Sequence, residues 1–110
     1  MQTSNFITIN TPDFDNLNSK PMVIIDFWAN WCQPCKTQIK ILQSLAIQYP
    51  QIIFAEINID DNRYLGRELR IQTIPALLFF ENGQEIERMT GLQNAFLIEN
   101  TIKKVFLKPH

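Results

Sequence analysis

Cysteine, histidine and glycine are scarce in this chain: two, one and three among 110 residues. Two cysteines cannot form the disulfide framework that staples small secreted domains. Together with one histidine they also fall short of the four ligands of a structural zinc. Charge of one sign is missing as well. Ten basic residues stand against 11 acidic ones, a net charge of -1, which excludes the basic footprint of a nucleic-acid binder. No apolar run reaches the roughly 20 residues that cross a bilayer. Residues 1–6 carry neither the charged nor the apolar segment of a secretory leader. Repeats, linkers and low-complexity stretches are absent. The expectation is a single cytosolic domain over residues 1–110, free of membrane and nucleic acid, with 45% apolar residues to build its core.

The two cysteines stand together in Trp31-Cys32-Gln33-Pro34-Cys35, just after the apolar run Met22–Trp28. Where a strand gives way to a helix, a Cys-x-x-Cys pair puts one sulfur exposed at the positive helix end and the other one turn further on. Cys32 is therefore the candidate nucleophile, with Lys36 adding positive charge nearby, and Cys35 the candidate resolving thiol. In a reducing compartment a working dithiol is favoured over a buried staple. Half of a zinc site is the alternative, and His110 is the only other soft ligand available to it. Pro34 would lie in the opening helical turn, where a missing N–H costs little. Asp26 interrupts the apolar run, and an ionised carboxylate is costly there unless it reaches water at the strand end.

Residues 6–9 alternate like a short strand, and Thr11 or Asp13 can cap a helix to about Leu17. Met22–Trp28 reads as a strand covered on both faces. In residues 35–49 the apolar positions Ile39, Leu42, Leu45, Ala46 and Tyr49 recur at helical spacing, closed by Pro50. Residues 52–59 form another apolar strand, and Asp60-Asp61-Asn62 offers caps for a helix to about Leu69. Residues 76–80 and 85–89 are strands joined through Asn82-Gly83, a hairpin signal. A last amphipathic helix carries Phe96, Leu97, Ile102, Val105 and Phe106. The order β-α-β-α-β-α-β-β-α predicts an α/β fold: one mixed sheet with helices on both faces.

Four motifs in order, over about residues 6–106, resemble the thioredoxin family. They are Asp26-Phe27-Trp28-Ala29-x-Trp31-Cys32-x-Pro34-Cys35-Lys36, Asn58-Ile59-Asp60, Thr73-Ile74-Pro75, and Asn82-Gly83 with Gly91. The resemblance implies a thioredoxin fold, a five-stranded sheet in the order 1-3-2-4-5 flanked by four helices. It implies a monomer that reduces disulfides in protein substrates through a reversible Cys32–Cys35 disulfide, needs no bound cofactor, and is recycled by a thioredoxin reductase. Asp26 would match the family's buried acid and accept a proton from Cys35 through a water molecule. Trp31 would form an apolar lip for incoming peptide, while Trp28 packs beneath the loop. Pro75 would follow a cis bond, leaving the Ile74 backbone beside Thr73 free to pair with substrate, and Thr90 with Gly91 would form the other wall.

Three positions depart from the family's common pattern. Gln33 replaces a glycine in the dipeptide that, with Pro34, tunes redox strength. Lys40 stands where a kinking proline is frequent. Glu56 stands where a lysine often lies close to the buried acid, and it faces either Asp26 or solvent on the opposite side of its strand. Two other functions share these features: a thioredoxin-fold oxidant or isomerase, disfavoured by the absent leader and by Gln33-Pro34, and a binding module that uses the groove without redox turnover.

Overall fold

Val23 to Phe27 are five consecutive buried residues, and successive strand side chains point to opposite faces. Such a strand is stable only if both faces are covered. In the computed structural model, which describes residues 6–107, both are. His110 and residues 1–5 lie outside the described residues.

The strands are β1 (Phe6–Thr8), β2 (Met22–Trp28), β3 (Ile53–Asn58), β4 (Ala76–Glu81) and β5 (Gln84–Thr90). They form one sheet in the order β1-β3-β2-β4-β5. β1 and β2 run parallel to β3, whereas β4 is antiparallel to β2 and β5 to β4. The helices are α1 (Thr11–Asn18), α2 (Gln33–Gln48), α3 (Arg63–Glu68) and α4 (Ala95–Val105), with a 3-10 turn at Ile59–Asp61. Sheet order and helices are those that the resemblance implies.

Parity along β2 sorts the core. Val23, Ile25 and Phe27 pack with Leu17 of α1 and Leu65 of α3. Ile24 packs on the opposite face with Leu42, Leu45 and Ala46 of α2 and with Ile98 and Ile102 of α4. Asp26, two residues after Ile24, therefore belongs to the α2–α4 face. No helix among the described residues is long and apolar enough to cross a membrane.

Several local expectations are corrected. Neither Thr11 nor Asp13 is the N-cap of α1: that residue is Asn10, and Asp13 reaches back to accept its backbone N–H at 3.0 Å. Asn62 does precede α3, but its side chain is used elsewhere. Its Oδ1 accepts from Thr11 N and Oγ1, at 2.7 and 2.8 Å, tying the start of α1 to the start of α3. Helix α2 opens at Gln33, two residues earlier than the apolar spacing places it, because Cys32 caps it and Pro34 fits the first turn. The buried stripe of α2 is Cys35, Gln38, Leu42, Leu45 and Ala46, with Ile39 only half-buried. In α4 the buried pair is Ile98 and Ile102, while Phe96 and Leu97 are 71% and 44% exposed. Asn82 and Gly83 both take positive φ, 51° and 87°, which suits the tight β4–β5 turn.

Helix α2 continues without a break through exposed Lys40. Proline there removes a backbone donor and brings its ring against the preceding turn. Lys40→Pro is expected to lower the melting temperature, by at most the roughly 3 kcal/mol of an interior helix proline. A rise would show that the packing around α2 favours a bend at this position.

A dithiol at the strand-to-helix junction

β2 ends at Trp28, and after four intervening residues the chain enters α2 at Gln33. The turn between them is fixed by the Cys32 N–H, which donates to Ala29 O at 3.1 Å. Cys32 is the N-cap of α2, and its Sγ accepts the backbone N–H of Cys35 at 3.3 Å. The free N–H groups of an opening helical turn and the positive end of the helix both favour a thiolate at that sulfur. Cys32 and Cys35 are joined in a disulfide, with Cα atoms 5.3 Å apart.

The expected contrast in exposure is smaller than the motif suggests. Cys32 is 4% exposed and Cys35 is 0%, so even the outer cysteine is largely covered. The cover comes from Trp28, Ile59 and Ile74, which pack on the Ala29–Cys32–Cys35 cluster. Trp28 thus lies beneath the loop, as expected. Trp31 is 70% exposed, and its indole N–H donates to Asp60 Oδ2 at 2.8 Å. Asp60 is itself placed by Asn58, whose Oδ1 accepts the Asp60 N–H at 2.9 Å. Gln33 and Pro34 are exposed on the first turn of α2.

The Ile74–Pro75 bond is cis. Ile74 packs against the cysteine cluster, and the backbones of Thr73 and Ile74 carry no hydrogen bond among the described residues. Pro75 O accepts the Gly91 N–H at 2.8 Å, which sets Thr90 and Gly91 beside the Thr73-Ile74-Pro75 segment. Gly91 has φ +81°, and a Cβ there would meet nothing within 4 Å. Its glycine therefore serves the backbone turn and leaves the surface open on the side where a Cβ would stand.

Asp26 is 1% exposed, and neither carboxyl oxygen has a hydrogen-bond partner among the described residues. Burial pushes its pKa well above the usual carboxylate range; the Gln38 side chain pulls it down, and the charge of Glu56 raises it further. The Gln38 side chain acts on the carboxyl, yet its Nε2 has no hydrogen-bond partner among the described residues. Glu56 stands directly opposite Asp26 in the parallel β2–β3 ladder, on the same face of the sheet. That settles the two readings of Glu56: it shares the face of Asp26 and does not lie on the opposite one. Burial also raises the Glu56 pKa.

Gln38, Ile59 and Asp60 also belong to this site, beyond the residues to which the sequence assigns a role in it. Gln38 is legible in part, since a glutamine three residues after Cys35 lies on the same helix face as the cysteine. The partnership of Trp31 with Asp60 spans 29 residues, and no local pattern announces it.

A disulfide-capable cysteine pair at the start of a helix, with a buried acid in the preceding strand of a sheet of this order, defines a protein of dithiol–disulfide exchange. A family model described as Thioredoxin matches residues 5–104. Thioredoxin of Chlamydia pneumoniae is 34% identical over 96 residues, covering 87% of this chain and 94% of that protein. The bifunctional thioredoxin reductase/thioredoxin of Mycobacterium leprae is 37% identical over 78 residues, 70% of this chain and 17% of that protein. Among solved structures, a mutant thioredoxin from Halobacterium salinarum NRC-1 superposes with TM-score 0.86 at 25% identity, covering 94% of each chain. Oxidised mitochondrial thioredoxin 3 from Saccharomyces cerevisiae gives TM-score 0.83 at 28% identity, covering 91% of this chain and 95% of that one. The chain belongs to the thioredoxin family.

Proposed function

We propose that this protein is a general protein-disulfide reductase in which Cys32 attacks and Cys35 resolves. The observation that carries the assignment is the asymmetry of the pair: Cys32 Sγ receives a helix N–H, while Cys35 is wholly buried within the first turn of α2.

In the reduced protein the Cys32 thiolate attacks one sulfur of a substrate disulfide. A Cys32–substrate bond forms, the substrate S–S bond breaks, and the departing thiolate takes a proton. Cys35 then gives its proton to Asp26 through a water molecule and attacks Cys32 Sγ. The Cys32–Cys35 disulfide forms and the second substrate thiolate leaves, so two electrons have passed to the substrate. Trp31, Gln33 and Pro34 form one side of the substrate groove, and Thr73, Ile74, Pro75, Thr90 and Gly91 the other. The unbonded Thr73 and Ile74 backbones suit pairing with an extended peptide. A thioredoxin reductase returns two electrons to the disulfide, a partnership in keeping with the fused reductase and thioredoxin of the Mycobacterium leprae relative. The protein works in the cytoplasm as a monomer without a bound cofactor.

Cys35→Ser is expected to accumulate mixed disulfides with substrate proteins, and Cys32→Ser almost none. Non-reducing electrophoresis of the two variants reads this directly. Comparable trapping by both would overturn the order of attack.

A further inference from the structure

Gln38 is the polar residue most deeply buried on α2, at 0% exposure, in a stripe otherwise made of Cys35, Leu42, Leu45 and Ala46. Its two amide atoms have different fates. Oε1 accepts the backbone N–H of Gln93 at 2.9 Å, which identifies Oε1 as the end facing the β5–α4 connection. Gln93 in turn donates through Nε2 to Thr90 O at 3.0 Å, within the segment that carries Gly91. That leaves Gln38 Nε2 buried with no acceptor. The two buried oxygens of Asp26 likewise have no donor. A donor on the inward side of α2 and the acceptors on the sheet face that α2 covers thus both stand unpaired in the disulfide form, and the carboxyl can change charge.

We propose that Gln38 is a positioning residue that anchors the Thr90–Gly91 wall through Oε1 and donates through Nε2 to Asp26 once that carboxyl ionises. A neutral carboxyl gains little from the amide, whereas an ionised one gains a charge-assisted hydrogen bond. Gln38 therefore favours the ionised acid, and Glu56 opposes it. The other elements on that face bring no charge to it in the disulfide form: β4 gives Leu77 as the register partner, and the buried residues of α2 and α4 are uncharged. Lys36 and Lys40 lie on the exposed side of α2. The proton affinity of the buried acid is thereby raised first by burial, and then adjusted in opposite senses by one amide from the helix and one carboxylate from β3. Because that amide is held by the groove wall, the placement of the wall and the readiness of the acid are mechanically linked. This role deepens the proposed mechanism and rests on Asp26 as the proton acceptor.

The test begins with unaltered protein. The side-chain amide of Gln38 and the carboxyl carbon of Asp26 are followed by NMR across pH in the disulfide form. One Gln38 amide proton is expected to move downfield with the same midpoint as Asp26, and to lose that transition in Asp26→Asn. In Glu56→Gln both midpoints should fall together. Gln38→Met, similar in size but without a donor, should raise the Asp26 midpoint and move the acid limb of the disulfide-reduction pH profile to higher pH. Well below the midpoint, a rise of the midpoint by one pH unit lowers the ionised fraction about tenfold. A Gln38 amide that ignores the Asp26 titration, or a Gln38→Met variant that loses melting temperature with Asp26 unmoved, overturns the proposal. Failure of the mechanism itself looks different: Asp26→Asn then leaves the pH profile unchanged, while the Gln38 amide still titrates with Asp26.

Discussion

Asp26→Asn is expected to raise the melting temperature at pH 8 and to leave it nearly unchanged at pH 4. The carboxyl is almost wholly buried, and burial holds its pKa well above the usual range. In the unfolded chain the same group titrates near its ordinary value of about 4. The folded protein therefore holds the proton to higher pH than the unfolded chain does. The group's favourable contribution is complete below the unfolded pKa and is lost as pH climbs through the folded one. Each unit separating the two values corresponds to about 1.4 kcal/mol at pH above both. One kcal/mol moves the melting temperature of a domain this size by roughly 4 °C. Asparagine keeps the shape without the charge, and its amide can meet both Gln38 and Glu56. Calorimetry at the two pH values decides the matter: an equal gain at both would mean that packing, not ionisation, is responsible. In the proposed mechanism the same variant also takes the proton acceptor from Cys35 and should slow the resolving step, so stability and activity should move in opposite directions.

Glu56→Lys is expected to bring the Asp26 titration down on the order of one pH unit, by replacing a like charge with an opposite one. The two residues are register partners on neighbouring parallel strands and share a face. Two carboxylates in so poorly solvated a place cannot both ionise cheaply, and the charge of Glu56 adds to the rise that burial gives Asp26. With lysine opposite, Asp26 should ionise at lower pH and accept the Cys35 proton at lower pH as well. Carboxyl titration by NMR in both proteins checks this. An unchanged Asp26 curve would mean that Glu56 lies electrically remote despite its place in the ladder.

Much of the fold is legible in the chain alone. The run Met22–Trp28 could only be a strand covered on both sides, and Asn82-Gly83 could hardly be anything but a tight turn between strands. Both are decisions of local chemistry: apolar side chains on alternating faces, and residues that tolerate positive φ. The Cys-x-x-Cys pair announces its own chemistry, because four residues at a helix start contain two cysteines one turn apart and the proline that fits between them. The cis bond before Pro75 is legible only through likeness to a family, since nothing local distinguishes it from an ordinary trans bond.

Register and rotation, by contrast, are settled by long-range packing. Glu56 faces Asp26 because β3 lies parallel to β2 in that register, and a slip of one residue would have turned it to the other side. The apolar spacing of α2 places Ile39 in the buried stripe, yet the helix docks with Gln38 inward, because Cys35 must lie beneath the loop and Gln38 follows it on the same face. In α4 the same kind of rotation leaves Phe96 outside and puts Ile98 and Ile102 within. A local pattern shows that a helix or strand has an apolar side. Which residue at the margin of that side is pressed into the core is settled only when the element docks against its neighbours, and here that margin holds the groups that set the charge of the buried acid.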